Sequence, residues 1–177
     1  MADDIRDLLG GWRPGEGDDG PENENARPRP LHEKQVEVLG LWRATPSEGG
    51  DDSRLTDSVL LLRDNRGRRL PIEIGAFETM AIHYALQGAV SERPLSHELM
   101  RSLVEQLGGT IERVIIDDMW EKTYYAKVEI VPAKAKESMT IDSRPSDAIA
   151  LALRASAPIY VAEEILATAS HTEDDED

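Results

Sequence analysis

The sequence contains no cysteine and no long apolar run. Without cysteine, the chain cannot form a disulfide, a thiolate metal site or a cysteine nucleophile. No stretch approaches the roughly 18 consecutive apolar residues that a membrane-spanning helix needs. The first residues also lack a basic segment followed by an apolar one, so we expect no secretory signal and no membrane partner, and we predict a cytoplasmic protein.

Positive charge is scarce: 20 Lys and Arg residues face 35 Asp and Glu residues, giving a net charge of −15. Residues 1–30 carry −4 and residues 167–177 carry −5, which leaves −6 on residues 31–166. The first segment is rich in Gly, Pro and acidic residues and cannot bury enough apolar surface to fold. We therefore predict a disordered segment at 1–30, a folded domain at 31–169 and an acidic disordered tail at 170–177.

The pattern of apolar residues and turn residues in the folded part indicates hairpins interrupted by helices. It predicts strands at 34–42, 58–62, 69–74, 110–116, 124–131, 138–141 and 159–161, and helices at 76–86, 96–107, 146–155 and 163–169. This order is typical of an α+β fold, in which helices pack on a largely antiparallel or mixed sheet.

The first two predicted helices carry apolar residues at helical spacing, a pattern typical of a face that packs on a core. In the first helix these include Phe77, Met80 and Tyr84. In the second they are Leu99, Leu103, Val104 and Leu107, and Ser96 is predicted to cap the start of that helix.

An unusual concentration of charge lies where a strand leads into the third helix. Asp142, Arg144, Ser146 and Asp147 surround Pro145, which suits the first position of a helix. Asp147 then falls in the first turn, where free backbone N–H groups and the helix dipole favour an anion. These residues indicate either a functional site or a structural turn, in which Asp142 pairs with Arg144 and Asp147 satisfies the helix start.

The same pattern occurs 69 residues earlier in the chain. At this offset Glu73 corresponds to Asp142, and Glu78 corresponds to Asp147, with no gap in the alignment. Each region is predicted to contain a strand, a second strand that ends in a carboxylate, and then a helix. The helix carries another carboxylate, five residues after the first. We therefore predict an internal duplication of a strand-strand-helix unit.

A second helix start also follows an Arg-Pro pair. Arg93 and Pro94 precede Ser96, His97 and Glu98, much as Arg144 and Pro145 precede a serine and an acid. An arginine at this position can present its guanidinium next to free helix N–H groups. The pattern favours an anion site.

These motifs together resemble the bifunctional nuclease domain family. The segments that carry the resemblance are 70–75, 93–99, 125–126, 142–151 and 158–161, and the match spans about residues 36–166. Ser96 and Glu98 depart conservatively from the more usual Thr-His-Asp of the family. The resemblance implies a compact α+β fold, self-association as a homo-oligomer, and hydrolysis of the phosphodiester bonds of DNA and RNA by a nuclease.

Phosphodiester hydrolysis needs an activated water and positive charge for the developing phosphorane oxygens. We hypothesise that Glu73, Glu78, Asp142 and Asp147 bind Mg²⁺ or Mn²⁺, which prefer oxygen ligands. The same hypothesis gives Asp142, Asp147 and Glu78 a role in activating water. No organic cofactor is expected.

Proton transfer and substrate binding fall to other residues in this hypothesis. His97 is the candidate general acid or base, because imidazole titrates near neutral pH. Arg93, Arg144 and Ser146 are the candidate substrate-binding residues. Alternatively, His97 is an ordinary surface residue at a helix start.

The charge of the folded part argues against tight binding of nucleic acid, because phosphate neutralisation supplies most of the affinity in such complexes. One basic cluster is present, formed by Arg63, Arg66, Arg68 and Arg69. It is either a phosphate contact or a charged hairpin edge that prevents aggregation. Trp120, Tyr124 and Tyr125 similarly suit either base stacking or packing.

Two other functions therefore stay open beside a weak nuclease. The chain could be a regulatory module that binds an anion or nucleotide without turnover. It could also be a partner-docking oligomeric protein that uses its acidic ends and an apolar face.

Overall fold

The structure, a computed structural model, describes residues 32–43, 58–133 and 137–171. The predicted segment 1–30 lies outside the described residues, as does most of the predicted tail. His171 still belongs to the fold, because its backbone exchanges two hydrogen bonds with Arg69, each 2.8 Å between nitrogen and oxygen.

Seven strands and four helices are formed within this part of the chain. The strands are β1 (Glu33–Arg43), β2 (Ser58–Asp64), β3 (Arg69–Ile74), β4 (Thr110–Trp120), β5 (Thr123–Val131), β6 (Met139–Ser143) and β7 (Ile159–Ala162). The helices are α1 (Ala76–Leu86), α2 (Ser96–Gln106), α3 (Pro145–Ala155) and α4 (Glu163–Ala169). None of these described helices has the length and apolar character needed to cross a bilayer.

All seven strands form one sheet in the order β3-β2-β1-β7-β4-β5-β6. Neighbouring strands are antiparallel, except that β7 runs parallel to β4. Two three-stranded meanders, β1-β2-β3 and β4-β5-β6, are therefore joined by β7. The expectation of an α+β fold with a mixed sheet and helices packed on it is confirmed.

One core extends through both meanders and the helices. Leu60, Leu62, Leu70 and Ile72 alternate with less buried neighbours along β2 and β3, as a two-sided strand requires. Helix α3 is the most enclosed helix: seven of its 11 residues are buried, three of them alanines. These small side chains let α3 pack closely between the sheet and the helices α1 and α2.

The apolar faces expected for α1 and α2 are confirmed as core faces only at Ala81 and Val104, which pack against the core. In α1 the buried residue is Ile82, whereas Phe77 is 84% exposed. Helix α2 has no buried residue, and Leu103 is 53% exposed. Helical spacing identifies a continuous apolar stripe, but it does not show what covers the stripe.

The elements repeat at the predicted offset. Helices α1 and α3 span 76–86 and 145–155, a shift of 69 residues, and each follows a three-stranded meander. Matching element order is compatible with an ancestral repeat but does not establish one. The internal duplication stays a prediction.

Candidate functional site

Side chains from the starts of three helices meet at one place on the surface. Arg144, directly before α3, donates from Nε to Asp147 Oδ2 at 2.7 Å and from Nη1 to Glu78 Oε1 at 2.9 Å. The other oxygen of Asp147, Oδ1, lies 3.1 Å from His97 Nε2. We call Glu78, His97, Arg144 and Asp147 the polar cluster.

Arg144 is the exposed member of the polar cluster, with 66% of its side chain open to solvent. The two hydrogen bonds use two of the five N–H groups that a guanidinium carries. The remaining donors are available to an incoming anion. A planar fork of this kind suits phosphate oxygens.

Asp147 is held as a carboxylate. Partial burial raises its pKa, but hydrogen bonds from Arg144 and His97 outweigh burial and hold the pKa of Asp147 below its ordinary value. The same contact orients the imidazole, whose side chain is only 14% exposed. With Nε2 engaged by the carboxylate, the second ring nitrogen of His97, Nδ1, is the one left to exchange a proton.

Gly75 caps α1 and leaves the space that Glu78 occupies. A Cβ atom at Gly75 would lie 2.7 Å from Glu78 Oε2, closer than real Cβ contacts allow. Gly75 is also the residue that corresponds to Arg144 at the offset of 69. The absence of a side chain here thus lets Glu78 fold back toward Arg144.

A second, more buried ion pair fixes the start of α2. Glu98 Oε1 lies 2.8 Å from Arg154 Nη1, with the two side chains 13% and 9% exposed. Glu98 Oε2 accepts a 2.9 Å hydrogen bond from the backbone N–H of Leu95. Leu95, not Ser96, is the capping residue, so the predicted cap is wrong by one position because Glu98 satisfies the helix start.

The polar cluster separates two cavities. The larger, about 840 Å³, lies between the ends of β2 and β3 and the start of α3, and both Glu78 and Arg144 line it. The smaller, about 390 Å³, is a groove between α1 and α2, and all four residues of the polar cluster contribute to it. Glu78 and Arg144 therefore face both spaces.

Four residues of the predicted site are brought together as the polar cluster, and two more lie close by. Glu73 on β3 and Ser146 in the first turn of α3 line the larger cavity beside Arg144. Burial and, to a smaller extent, the negative charge of Glu73 raise the pKa of Tyr124, which also lines this cavity.

Asp142 and Arg93 lie apart from the polar cluster. Asp142 is exposed on the edge strand β6, opposite Lys127 in the β5-β6 register, and lines neither cavity. Arg93 is exposed in the connection before α2 and, among the described residues, has no hydrogen bond or ion pair. Only one of the two Arg-Pro pairs thus presents its guanidinium at a helix start that belongs to the site.

The described donor set does not form a metal centre. Within residues 32–43, 58–133 and 137–171, no group of three His, Asp or Glu side chains is arranged to hold a metal ion. Glu78 and Asp147 each give an oxygen to Arg144 instead. A cation bound here would have to displace the guanidinium from both carboxylates.

Acidic partners neutralise much of the basic cluster on the first hairpin. Arg63 pairs with Glu37, Arg66 lies 3.9 Å from Glu163, and Arg68 binds both Asp64 and Glu163. These contacts favour the interpretation of a charged hairpin edge over that of a phosphate contact.

The sequence interpretation missed the groove itself. One wall consists of side chains that helical periodicity had assigned to packing, Phe77, Met80, Ala81 and Tyr84, and the other includes Leu95 and Met100, to which the sequence pattern gave no role. It also missed Lys122, which lines the larger cavity from the β4-β5 turn. The available signal was the single phenylalanine of the chain, one residue before Glu78.

The described residues thus form a mixed seven-stranded sheet, with the polar cluster at the starts of three of its helices. The pattern of the bifunctional nuclease domain matches residues 59–174. The chain belongs to the bifunctional nuclease domain family.

Several individual proteins are also similar to this chain in sequence. An uncharacterized protein of Mycobacterium tuberculosis is 43% identical over 136 residues, which cover 76% of this chain and 75% of the relative. Bifunctional nuclease 1 of Oryza sativa subsp. japonica is 29% identical over 115 residues, covering 61% of this chain and 35% of the relative. Bifunctional nuclease 1 of Arabidopsis thaliana is 28% identical over 104 residues, covering 58% and 32%. The aligned part is about a third of each plant protein.

Proposed function

We propose that this protein is a nuclease that hydrolyses phosphodiester bonds of DNA and RNA at the polar cluster. The observation that carries the proposal is the contact of Arg144 with carboxylates from two helices, next to His97 and between two cavities. The plant relatives named as bifunctional nucleases support the same reaction class.

Arg144 is the residue that binds the scissile phosphate in this proposal. Its free N–H groups would donate to the non-bridging oxygens, on which negative charge increases in the transition state. Ser146, buried at the start of α3, lines the adjoining cavity beside Arg144 and would be a second group to contact the phosphate. Lys122 adds positive charge on the other side of this cavity.

His97 transfers the proton. Asp147 fixes the orientation of the ring through Nε2, as a carboxylate does for a catalytic histidine. Nδ1 would then take a proton from the attacking water or return one to the leaving oxygen. Glu78 acts as a positioning residue, since it holds the second side of the guanidinium.

Assistance by Mg²⁺ or Mn²⁺ stays a prediction, with Glu73, Glu78 and Asp147 as its ligands, because Asp142, the fourth predicted ligand, lies apart from the polar cluster. The cation would supply Lewis-acid stabilisation of the phosphate oxygens when bound. Treatment with EDTA followed by addition of Mg²⁺ or Mn²⁺ tests this point. Loss of cleavage with EDTA and recovery with the cation are expected if the carboxylates bind the metal.

The experiment that tests the proposed nuclease uses fluorescently labelled DNA and RNA oligonucleotides. We expect slow cleavage by the native protein, because the chain is strongly acidic, and loss of cleavage in His97→Ala. His83→Ala is the matched control, since His83 is exposed on α1 and lines neither cavity. Saturable nucleotide binding with no cleavage under any metal condition would favour the regulatory module instead.

Self-association is a second proposal, supported by a different surface. Three leucines on α2 and directly after it have exposed side chains: Leu99, Leu103 and Leu107. An exposed apolar patch on a soluble protein often marks a contact site. Sedimentation velocity of the native protein and of Leu103→Glu tests it. A homo-oligomer that becomes a smaller species in Leu103→Glu supports the proposal, and a native monomer contradicts it.

A further inference from the structure

The groove between α1 and α2 has an unusual composition for the surface of an acidic protein. Phe77 is 84% exposed and Tyr84 is 37% exposed, and both line the groove. Leu95, which caps α2, and Met100 on α2 line it as well, with exposures of 38% and 47%. Exposing a phenylalanine to this extent leaves most of its apolar surface in water, which is unfavourable unless something covers it.

The polar end of the groove determines what could cover it. His97, Arg144 and Asp147 lie at this end, so a ligand in the groove would touch the apolar walls and the guanidinium together. An apolar peptide would not use the guanidinium, and a free phosphate would not cover the rings. A flat apolar group that is linked to a phosphate satisfies both parts.

We propose that the groove binds a single unstacked nucleobase whose phosphate lies at Arg144. This inference rests on the proposed nuclease function and names its substrate class: single-stranded DNA or RNA, in which a base is free to leave its neighbours. Aromatic side chains bind bases of any sequence, because every base has a π-face.

The size and charge of the groove agree with this occupant. A volume of about 390 Å³ lies within the range of small-molecule sites, and it is far too small to enclose a segment of duplex DNA or RNA. A long duplex would also bring many phosphates close to a chain of net charge −15. A single base with one phosphate at Arg144 needs only one strong electrostatic contact.

Binding of three probes to the native protein tests the proposal. The probes are adenosine 5′-monophosphate, adenosine and inorganic phosphate, each titrated by calorimetry. We expect the nucleotide to bind more tightly than either part alone. Phe77→Ala should weaken nucleotide binding about 5- to 100-fold and leave phosphate binding unchanged, because only the base contact is lost.

Val90→Ala is the matched control, since Val90 is 90% exposed and lies outside the groove. Both substituted residues are exposed, so the fold should persist, and thermal unfolding checks this. Equal nucleotide affinity in native protein and Phe77→Ala would overturn the proposal. So would a change of oligomeric state in Phe77→Ala with unchanged nucleotide affinity, because the groove would then be an interface between copies.

Cleavage assays separate this inference from the proposed function. Nucleotide binding that depends on Phe77, without any cleavage, would support the base-binding groove and contradict the proposed nuclease function. Cleavage that is equally fast on single strands and duplexes, and unchanged in Phe77→Ala, keeps the nuclease and removes the groove assignment.

Discussion

Glu78 and Asp147 hold the same position, the third residue, in two helices whose starts are 69 residues apart, and one guanidinium binds both. Arg144 therefore links the meander β1-β2-β3 with its helix to the meander β4-β5-β6 with its helix. The two carboxylates would repel each other without that cation between them. The contact thus has a structural effect as well as the proposed role in binding phosphate.

Arg144→Lys should lower kcat/KM for oligonucleotide cleavage by about 100-fold, the scale on which one transition-state donor is lost. An ammonium cannot bind both carboxylates and a phosphate in the planar geometry of a guanidinium. Steady-state kinetics measures the loss. Arg93→Ala serves as the control, since Arg93 lies outside the polar cluster, and an equal loss in Arg93→Ala would contradict the assignment of Arg144.

Gly75→Ala should impair cleavage through Glu78. The added Cβ would approach Glu78 Oε2 to 2.7 Å, so the carboxylate must shift, and we expect the shift to disturb its hydrogen bond with Arg144. The two single variants Gly75→Ala and Glu78→Gln should then have similar effects, and the double variant should be no worse than either. Additive effects in kcat/KM would show that Gly75 acts by a different route.

The stability contribution of Asp147 should depend on pH. Contacts with Arg144 and His97 hold the folded-state pKa of Asp147 below its ordinary value of about 3.9. The contribution of Asp147 to stability is therefore complete above about pH 3.9. It is lost as the pH falls through the lower pKa of the folded state. Urea unfolding should give Asp147→Asn a deficit of about 1 kcal/mol at pH 7, since the side chain is partly exposed. The deficit should be unchanged at pH 5 and should shrink between pH 4 and pH 2. A deficit that grows on acidification is the contrary result.

Arg154→Met should destabilise the fold by about 3 kcal/mol, because it leaves the carboxylate of Glu98 buried and unpaired. Arg154 also donates to the backbone carbonyl of Ala89 at 2.6 Å, and this bond is lost too. The double variant Glu98→Gln with Arg154→Met should recover part of the loss, since no buried charge remains. Urea unfolding of the three variants measures both steps, and a double variant less stable than Arg154→Met would be inconsistent with this pairing.

Local chemistry was enough to predict several elements from sequence. Pro145 marks the first residue of α3, and the predicted strand 58–62 lies within β2, which continues for two more residues to Asp64. The prediction that Asp147 lies in a first helical turn is confirmed, because proline and a following acid favour that position regardless of the tertiary fold.

Other properties depend on contacts between distant parts of the chain. The meeting of His97 with Asp147 joins residues 50 positions apart, and nothing in either local pattern specifies it. Asp142 was grouped with Asp147 because the two are near in sequence, but a strand residue and a helix residue separated by a turn can face different surroundings. The exposure of Phe77 was not predicted, because helical periodicity shows which side of the helix the side chain lies on but not whether another element covers that side.

The position of β7 has a consequence for how the chain reaches its final form. The two meanders touch through the sheet only where β7 lies between β1 and β4, yet β7 follows both of them in the chain. During synthesis, each half can emerge and pair its own strands, but the sheet cannot close until Ala162 has left the ribosome. Placement of this last strand is therefore the step that joins the two hairpin units into one sheet.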